Sequence, residues 1–429
     1  MPDDLSSRRV ALDLLTAVLR RRRPLDEGLE QDRAFAALAE RDRAFVRLLV
    51  VTALRRLGQI DALIAGCLDR PLPRKAAAAH DILRLGAAQL LFLGTPPHAA
   101  VATSVDLAKA VGADAHKALI NAVLRRHDRE GREIAAGQDA ALLNTPDWLW
   151  HSWTAAYGEE TARAVALAHL REPPLDLSVK GDATEWAERL GAALLPTGSL
   201  RLSAAGRVTA LPGYEEGAWW VQDAAAALPA RLLGDVAGKR VGDLGAAPGG
   251  KTAQLAAAGA RVTAVERSER RLERLRGNLG RLRLAADLVA ADAARWRPDE
   301  PFDAVLLDAP CSSTGTLRRH PDVAWLKTPD DVAKLAVAQT TLLAAAVDMV
   351  GTGGTVVYCV CSLQPEEGPQ RIDALIATGA PVRRVAIAPD EIGGLAEAIT
   401  AEGDLRTLPC HLGDAGGMDG FYAARLVRL

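Results

Sequence analysis

Residues 240–252 read RVGDLGAAPGGKT: a short apolar run closed by an acid, Asp243, then a glycine-rich turn and the start of a helical segment. From residue 238 onward the same unit repeats. KRVGDLG is followed by a helix over 250–258 and RVTAVE by a helix over 268–280; ADLVAAD, FDAVLLD, a long helix near 330–350, GTVVYCV and a helix over 366–377 complete the series. Strands that alternate with helices of about 10–15 residues predict a mainly parallel, doubly wound α/β sheet. In such sheets ligands bind beyond the carboxyl ends of the strands, so the residues just after each strand are the candidates for chemistry.

Upstream the pattern changes. Residues 5–130 carry helical periodicity, with Leu12, Leu15, Val18 and Leu19 at spacings of three and four, and almost no strand signal. Breaks fall at Pro24, at Pro71 and Pro73, and at Gly94–Pro97, which predicts an all-α bundle with short connections. Its arginine run, Arg20–Arg23, is read either as a solvated helix end favoured by the helix dipole or as a contact to RNA phosphate. Residues 131–145 read as a polar, Ala/Gly-rich linker. Trp148, Trp150 and Trp153 follow, read as packing between domains, with base stacking as the alternative. Over 173–220 a strand in PLDLSVK, a helix around Thr184–Leu190 and short strands in SLRLS and GRVTA predict a small α+β module. The expected organisation is an all-α domain over 1–135, an α+β connector over 146–230 and an α/β domain over 231–429.

A chain of 429 residues accommodates three such parts at about 150 residues each. Its 52 basic and 54 acidic residues argue against a protein that coats nucleic acid non-specifically. Residues 1–140 hold 22 basic against 18 acidic side chains, so the N-terminal part is the side expected to meet a polyanion. Five cysteines, an odd number spread widely, do not form a disulfide framework. The N-terminal stretch MPDDLSSRRV has no apolar core of a signal sequence, and no uninterrupted apolar run reaches membrane-span length. A cytoplasmic monomer with reduced thiols, and with neither membrane nor metal partner, is expected.

The glycine turn has two readings. Gly245, four intervening residues, then Gly250, Lys251 and Thr252 satisfy the P-loop pattern, and Asp308 ends an apolar strand as a Walker B acid would. Against this, Glu266 ends the next strand 21 positions after Gly245, where a nucleoside-binding domain places a carboxylate for ribose hydroxyls. Asp292 ends the third strand, placed for a base edge, and Asp308 is followed at once by Ala309-Pro310-Cys311. A thiol in the cleft serves no phosphoryl transfer. A nucleoside ligand fits better than a triphosphate.

Cys311 follows the fourth strand and Cys361 the fifth, so both open into one cleft. Free cysteine is most often a buried small hydrophobe, and Cys67, Cys359 and Cys410 are read that way. Cys311 and Cys361 are read as reactive, because each opens a loop with Ser312 or Ser362 beside it.

DLGAAPGGKT, LLDAPCSSTGTLRRHPDVAW, VVYCVCSLQPEE and the closing MDGFYAARL together resemble the motif series of the RsmB/Fmu family of RNA cytosine-5 methyltransferases. The likeness extends upstream: RAFVRLLVVTALRRLGQID and ILRLGAAQLLFLGTPPHAAV resemble a NusB-like helical RNA-binding domain. The resemblance implies a Rossmann-like methyltransferase domain, S-adenosyl-L-methionine as cofactor and RNA, 16S rRNA foremost, as partner. It implies Cys361 as nucleophile, Cys311 as the residue that assists release, and Asp308 as the acid near ring nitrogen 3. Gly245, Ala246, Ala247, Pro248, Gly249, Gly250, Lys251, Glu266, Asp292 and Asp308 would line the cofactor site. The chemistry needs these residue types. Carbon 5 of cytosine is a poor nucleophile, and a thiolate adding to carbon 6 makes the ring enamine-like.

The chain departs from the family pattern at Gly245 (commonly cysteine), Glu266 (commonly aspartate), Val360 (commonly threonine) and Ser313 (often glycine). None removes a reacting group. The remaining alternatives are a tRNA or other rRNA cytosine-5 methyltransferase, a P-loop ATPase, and a non-catalytic RNA-binding factor.

Overall fold

The computed structural model describes residues 3–203 and 206–429, so the first two residues of the N-terminal stretch and two within the connector lie outside it. The chain forms two compact units: Met1–Arg171 with Leu317–Lys327, and Glu172–Thr316 with Thr328–Leu429.

The first unit is helical. Helices Asp3–Arg21, Glu40–Arg55, Leu57–Ala65, Ala77–Ala87, Pro97–Ala110 and Lys117–Arg126 enclose one apolar core that includes Leu15, Leu49, Ile60, Ile82 and Leu124. The breaks fall at the predicted prolines; Pro97 opens its helix, where a missing N–H costs nothing. The arginine run is tied into its own unit. Arg20 donates to the buried Asp81 at 2.9 and 3.0 Å, Arg23 lies 3.7 Å from Glu27, and Arg22 donates to the Leu326 carbonyl. Arg21 donates to the Asp13 carbonyl at 3.4 Å, so each of the four side chains has a partner within the unit.

Two expectations change here. Residues 131–145 are no linker: helices Arg132–Gly137 and Ala140–Leu143 run through them, the second capped by Asp139, which accepts from Leu142 N at 3.1 Å. Two of the three tryptophans pack inside this unit, with Trp153 fully buried against His169 at a ring distance of 5.3 Å and Trp150 facing Arg163. The returning segment Leu317–Lys327 was not anticipated. Asp322 accepts from Leu25 N at 2.9 Å, Trp325 Nε1 donates to the Leu54 carbonyl at 3.0 Å, and Leu326 enters the helical core.

The second unit holds two sheets among the described residues. The smaller has the order β2-β3-β1-β4, all antiparallel: β1 (Leu175–Val179), β2 (Ala193–Leu194), β3 (Leu200–Leu202) and β4 (Trp219–Val221). GRVTA forms only a single helical turn, Val208–Ala210, and Trp219–Val221 takes the edge position beside β1. Leu177, Leu200, Trp186 and Trp219 make its core. Beneath them Asp176 and Arg201 form a buried two-point pair, both contacts 2.7 Å, and Asp176 also accepts from Ala224 N at 3.1 Å.

The larger sheet has the order β10-β12-β9-β8-β5-β6-β7, with β11 paired to β12. β5 (Arg240–Leu244), β6 (Arg261–Glu266), β7 (Asp287–Ala290), β8 (Phe302–Asp308) and β9 (Val350–Val360) are parallel. β10 (Val382–Arg384), β11 (Leu405–Thr407) and β12 (Phe421–Arg428) add an antiparallel edge. Both faces of the central strands are covered, which is why they read as continuous apolar runs such as Ala304–Leu307. Helices Gly250–Ala257, Glu269–Leu282, Pro329–Met349 and Pro369–Ala377 supply the cover. Pro329–Met349 is long and apolar enough to cross a membrane by composition, but its Leu343, Ala346 and Met349 share the core of Val305, Leu307 and Tyr358. The chain order reverses at β5, flanked by β6 and β8, which makes the carboxyl ends of these strands the crevice where a ligand fits.

Breaking a buried ion pair from one side leaves an uncompensated charge. Asp176→Ala should therefore lower the stability of the second unit by about 3–5 kcal/mol, measured by urea denaturation. Replacing Asp176 and Arg201 together by apolar residues should cost less than the single change.

Candidate functional site

The site starts at Gly245, just past β5. Its φ of +80° suits glycine, and a Cβ there would lie 2.4 Å from the Asp308 carbonyl oxygen, so only glycine lets the ends of β5 and β8 come this close. Ala246 and Ala247 are buried, and Gly249, at φ +106°, opens the helix that begins with Gly250. Helix Glu269–Leu282 braces the turn from the side: Arg271 donates to the Ala247 carbonyl at 2.6 Å and Asn278 to that of Pro248 at 2.8 Å.

The two side chains a P-loop would aim at phosphate are used internally. Lys251 Nζ donates to Asp308 Oδ2 at 2.8 Å and lies 4.9 Å over the Phe421 ring. Thr252 Oγ1 donates to Asp243 Oδ2 at 2.5 Å. Burial opposes the charge on Lys251, yet Asp308 outweighs it and holds the ammonium above its ordinary range. Asp243 shows the reverse balance: burial, against the Thr252 hydrogen bond, pushes it up to about 6, and its Oδ1 has no partner.

Glu266 ends β6 and is 5% exposed. Oε1 accepts from Ser268 N at 2.9 Å; Oε2 lies 3.3 Å from Arg271 but has no hydrogen-bond partner. A buried carboxylate oxygen with spare capacity is what a pair of ribose hydroxyls would satisfy. Asp292 stands two residues past β7, half-buried, its Oδ1 accepting from Ala294 N at 3.0 Å. These residues fit a nucleoside-containing cofactor.

The cysteines come together. Cys311 Sγ and Cys361 Sγ are 3.4 Å apart, each partly accessible, on loops that leave β8 and β9. Ser313 adopts φ +60° and puts its hydroxyl 3.6 Å from Cys361 Sγ and 4.0 Å from Cys311 Sγ. The Cys311 thiol donating to Cys361 sulfur, helped by Ser313 and Lys251, holds Cys361 below the usual thiol range despite burial. The same contact, with burial added, pushes Cys311 up. The thiolate form is therefore more accessible at Cys361 than at Cys311. Cys359 is fully buried 3.8 Å from Asp308 Oδ1, and burial raises it well above a reactive range; Cys67 and Cys410 lie elsewhere.

Sequence reasoning passed over Glu367. It is fully buried and accepts from Ser312 and Ser362, the residues that follow the two cysteines. The only signal was its place in SLQPEEG, six residues after Cys361.

Comparison with known proteins agrees with this geometry. Residues 230–427 match the family described as 16S rRNA methyltransferase RsmB/F, and residues 5–129 match the NusB family. The chain is 36% identical to ribosomal RNA small subunit methyltransferase B of Cronobacter sakazakii over 411 residues, which is 91% of this chain and 92% of that protein. Against the protein of the same description from Serratia proteamaculans it is 35% identical, covering 94% of this chain and 96% of that one. The Escherichia coli K12 protein is 37% identical, covering 79% and 83%. Among solved structures, PH0851 superposes over 100% of this chain and 99% of its own with a TM-score of 0.77 at 21% identity, a likeness of fold. A methyltransferase homologue from Pyrococcus horikoshii covers 65% of this chain and 94% of its own, with a TM-score of 0.54 at 26% identity.

The raised Asp243 makes a pH prediction. Between about pH 4 and 6 the unfolded chain has released this proton while the folded protein still holds it, so stability falls as pH rises through that window. The gap between about 6 and the unfolded value corresponds to about 3 kcal/mol. Asp243→Asn should abolish that loss, so its denaturation free energy should gain on the wild type by up to this amount between pH 4 and 7. Parallel stability curves would remove the assignment.

Proposed function

Given that the chain belongs to the RsmB/F family of 16S rRNA methyltransferases, we propose that it methylates carbon 5 of a cytosine in 16S rRNA through a covalent bond between Cys361 and the base. The observation that carries this reading is the pair of sulfurs 3.4 Å apart beside Asp308, at the carboxyl ends of adjacent parallel strands. S-Adenosyl-L-methionine would lie along Gly245–Lys251, with Glu266 on its ribose, Asp292 by its base and Asp308 close to the reacting end. When bound it supplies the methyl group as an electrophile.

Each remaining part of the reaction falls to the chain's own residues. Cys361, kept low by Cys311, adds as thiolate to carbon 6, forming an S–C6 bond and pushing electron density to carbon 5. Asp308, fixed by Lys251, stands by ring nitrogen 3 as charge develops there. Once carbon 5 carries the methyl group, its proton must leave to a base; the S–C6 bond then breaks and returns the electron pair to Cys361. Cys311 assists this release. In this reading the helical unit engages RNA and residues 231–429 catalyse, in a monomer that meets its RNA in the cytoplasm; residues 146–171, expected in the connector, belong to the helical unit.

Glu266→Ala should weaken S-adenosylmethionine binding by about 1.5–3 kcal/mol, the range for hydrogen bonds to a charged group, and calorimetry giving unchanged affinity would move the ribose elsewhere. The two cysteine variants should differ on a denaturing gel. Cys361→Ala should form no protein–RNA band and transfer no methyl group, whereas Cys311→Ala should add, stall and accumulate a shifted band. The reversed pattern would exchange the roles, and full activity without a band in both would end the covalent account. Bisulfite mapping of rRNA from cells lacking the gene locates the base: loss of one protected cytosine in 16S rRNA is expected, and loss confined to tRNA would redirect the substrate.

A further inference from the structure

The reaction above asks two thiols, on loops from different strands, to act in turn on one base. What holds the sulfurs at one separation is a feature of its own. The β8–β9 ladder ends with Asp308 opposite Cys359, short of both reactive cysteines. Beyond it the backbones are joined by Ala309 N to the Cys359 carbonyl and Gly315 N to the Cys361 carbonyl, both 3.0 Å. The two loops also meet at a buried carboxylate, Glu367. Glu367 Oε1 accepts from Ser312 N at 2.8 Å and Gln339 Nε2 at 3.1 Å. Its Oε2 accepts from the hydroxyl of Ser312 and, at 2.5 Å, from that of Ser362. The two hydroxyls are themselves 3.1 Å apart.

We infer that Glu367 is a positioning residue that clamps the Cys311 and Cys361 loops at a fixed sulfur–sulfur distance. The inference rests on the two-thiol reading of the reaction. Among the described residues this carboxylate makes no salt bridge, so its burial is compensated by its four donors, and two of the residues supplying them immediately follow a cysteine. The clamp is held from behind as well. Tyr358, on β9, donates its hydroxyl to the Glu367 carbonyl at 2.6 Å, and Gln339 also donates to the Pro310 carbonyl at 2.9 Å, one residue before Cys311. A carboxylate suits this place because all four contacts are donated to it. An amide could keep its oxygen on the Ser312 and Gln339 N–H groups, but its own N–H groups would then face the two hydroxyls, which would have to turn their hydrogens elsewhere and give up their present bonds to Oε2.

The test is Glu367→Gln in the full-length protein, read by methyl transfer and by oxidation with diamide. Diamide takes two electrons and two protons from the two thiols as a Cys311–Cys361 disulfide forms, which mass spectrometry quantifies after alkylation of the remaining thiols. The variant should lose about 10- to 100-fold in kcat, the cost of misplacing reacting groups by an ångström or less. Its KM for S-adenosylmethionine should stay within about twofold, since Glu367 makes no bond to the cofactor residues, and its disulfide should form more slowly than in the wild type. A purely structural role would lower the melting temperature and leave disulfide formation in the folded protein unchanged. Unchanged kcat, or a lower kcat with an unchanged disulfide rate, overturns the clamp. Should Glu367→Gln not fold, Ser362→Ala removes one of the four donors and is read the same way. Cys361→Ala, assayed alongside, separates the two claims: if it still transfers methyl groups the two-thiol reading fails, whereas the disulfide rate in Glu367→Gln reports on the clamp alone.

Discussion

The parallel pairing of β8 with β9 sets Asp308 beside Cys359, and the candidate site is placed by how the two strands end. Asp308 closes one strand as the Cys361 loop leaves the other, and the Cys311 loop starts three residues past Asp308. β5 must come up against the same strand end, and Gly245 is what permits it, since any Cβ there would meet the Asp308 carbonyl. The glycine turn, the acid and the two thiols are therefore parts of a single packing constraint, with the glycine turn on one side of Asp308 and the thiol pair on the other.

Charge in this crevice is arranged against the cost of burying it. Lys251 and Asp308 offset one another at 2.8 Å, so a cation is kept beside the thiols. Asp243 makes no ion pair among the described residues, and burial raises it to about 6, so it adds a second negative charge near Asp308 only above that pH. Two chemically identical side chains are made different by their surroundings: the contact at 3.4 Å lowers Cys361 and raises Cys311.

Much of this was legible from the sequence because the candidate residues lie at strand ends, and strand ends are visible where apolar runs stop. The segments read as RVTAVE, FDAVLLD and GTVVYCV became β6, β8 and β9, and Glu266, Asp308 and Cys361 stand at or just past their ends. The misreadings share a cause: local composition was asked to decide matters that tertiary contacts decide. Residues 131–145 looked like a linker because they are rich in Ala and Gly, yet short helices form there once Asp139 caps one of them. Leu317–Lys327 follows the cysteine loop directly in sequence, and nothing in its pattern shows that Asp322, Trp325 and Leu326 bond and pack within the helical unit. Glu367 was quoted within its motif but given no role, since the Ser312 it binds lies 55 residues away.

The central claim is that Cys361, and not its neighbour, forms the bond to the base. The most direct measurement uses RNA carrying 5-fluorocytidine at the target position, where the proton that must leave carbon 5 is replaced by fluorine and the adduct cannot be released. After incubation of the wild-type protein with this RNA and S-adenosylmethionine, digestion and mass spectrometry of the peptides locate the attachment. The account predicts a methylated nucleotide on the peptide that carries Cys361, with the Cys311 peptide unmodified. A nucleotide attached through Cys311, or methyl transfer to unmodified RNA with no adduct on either peptide, would contradict it.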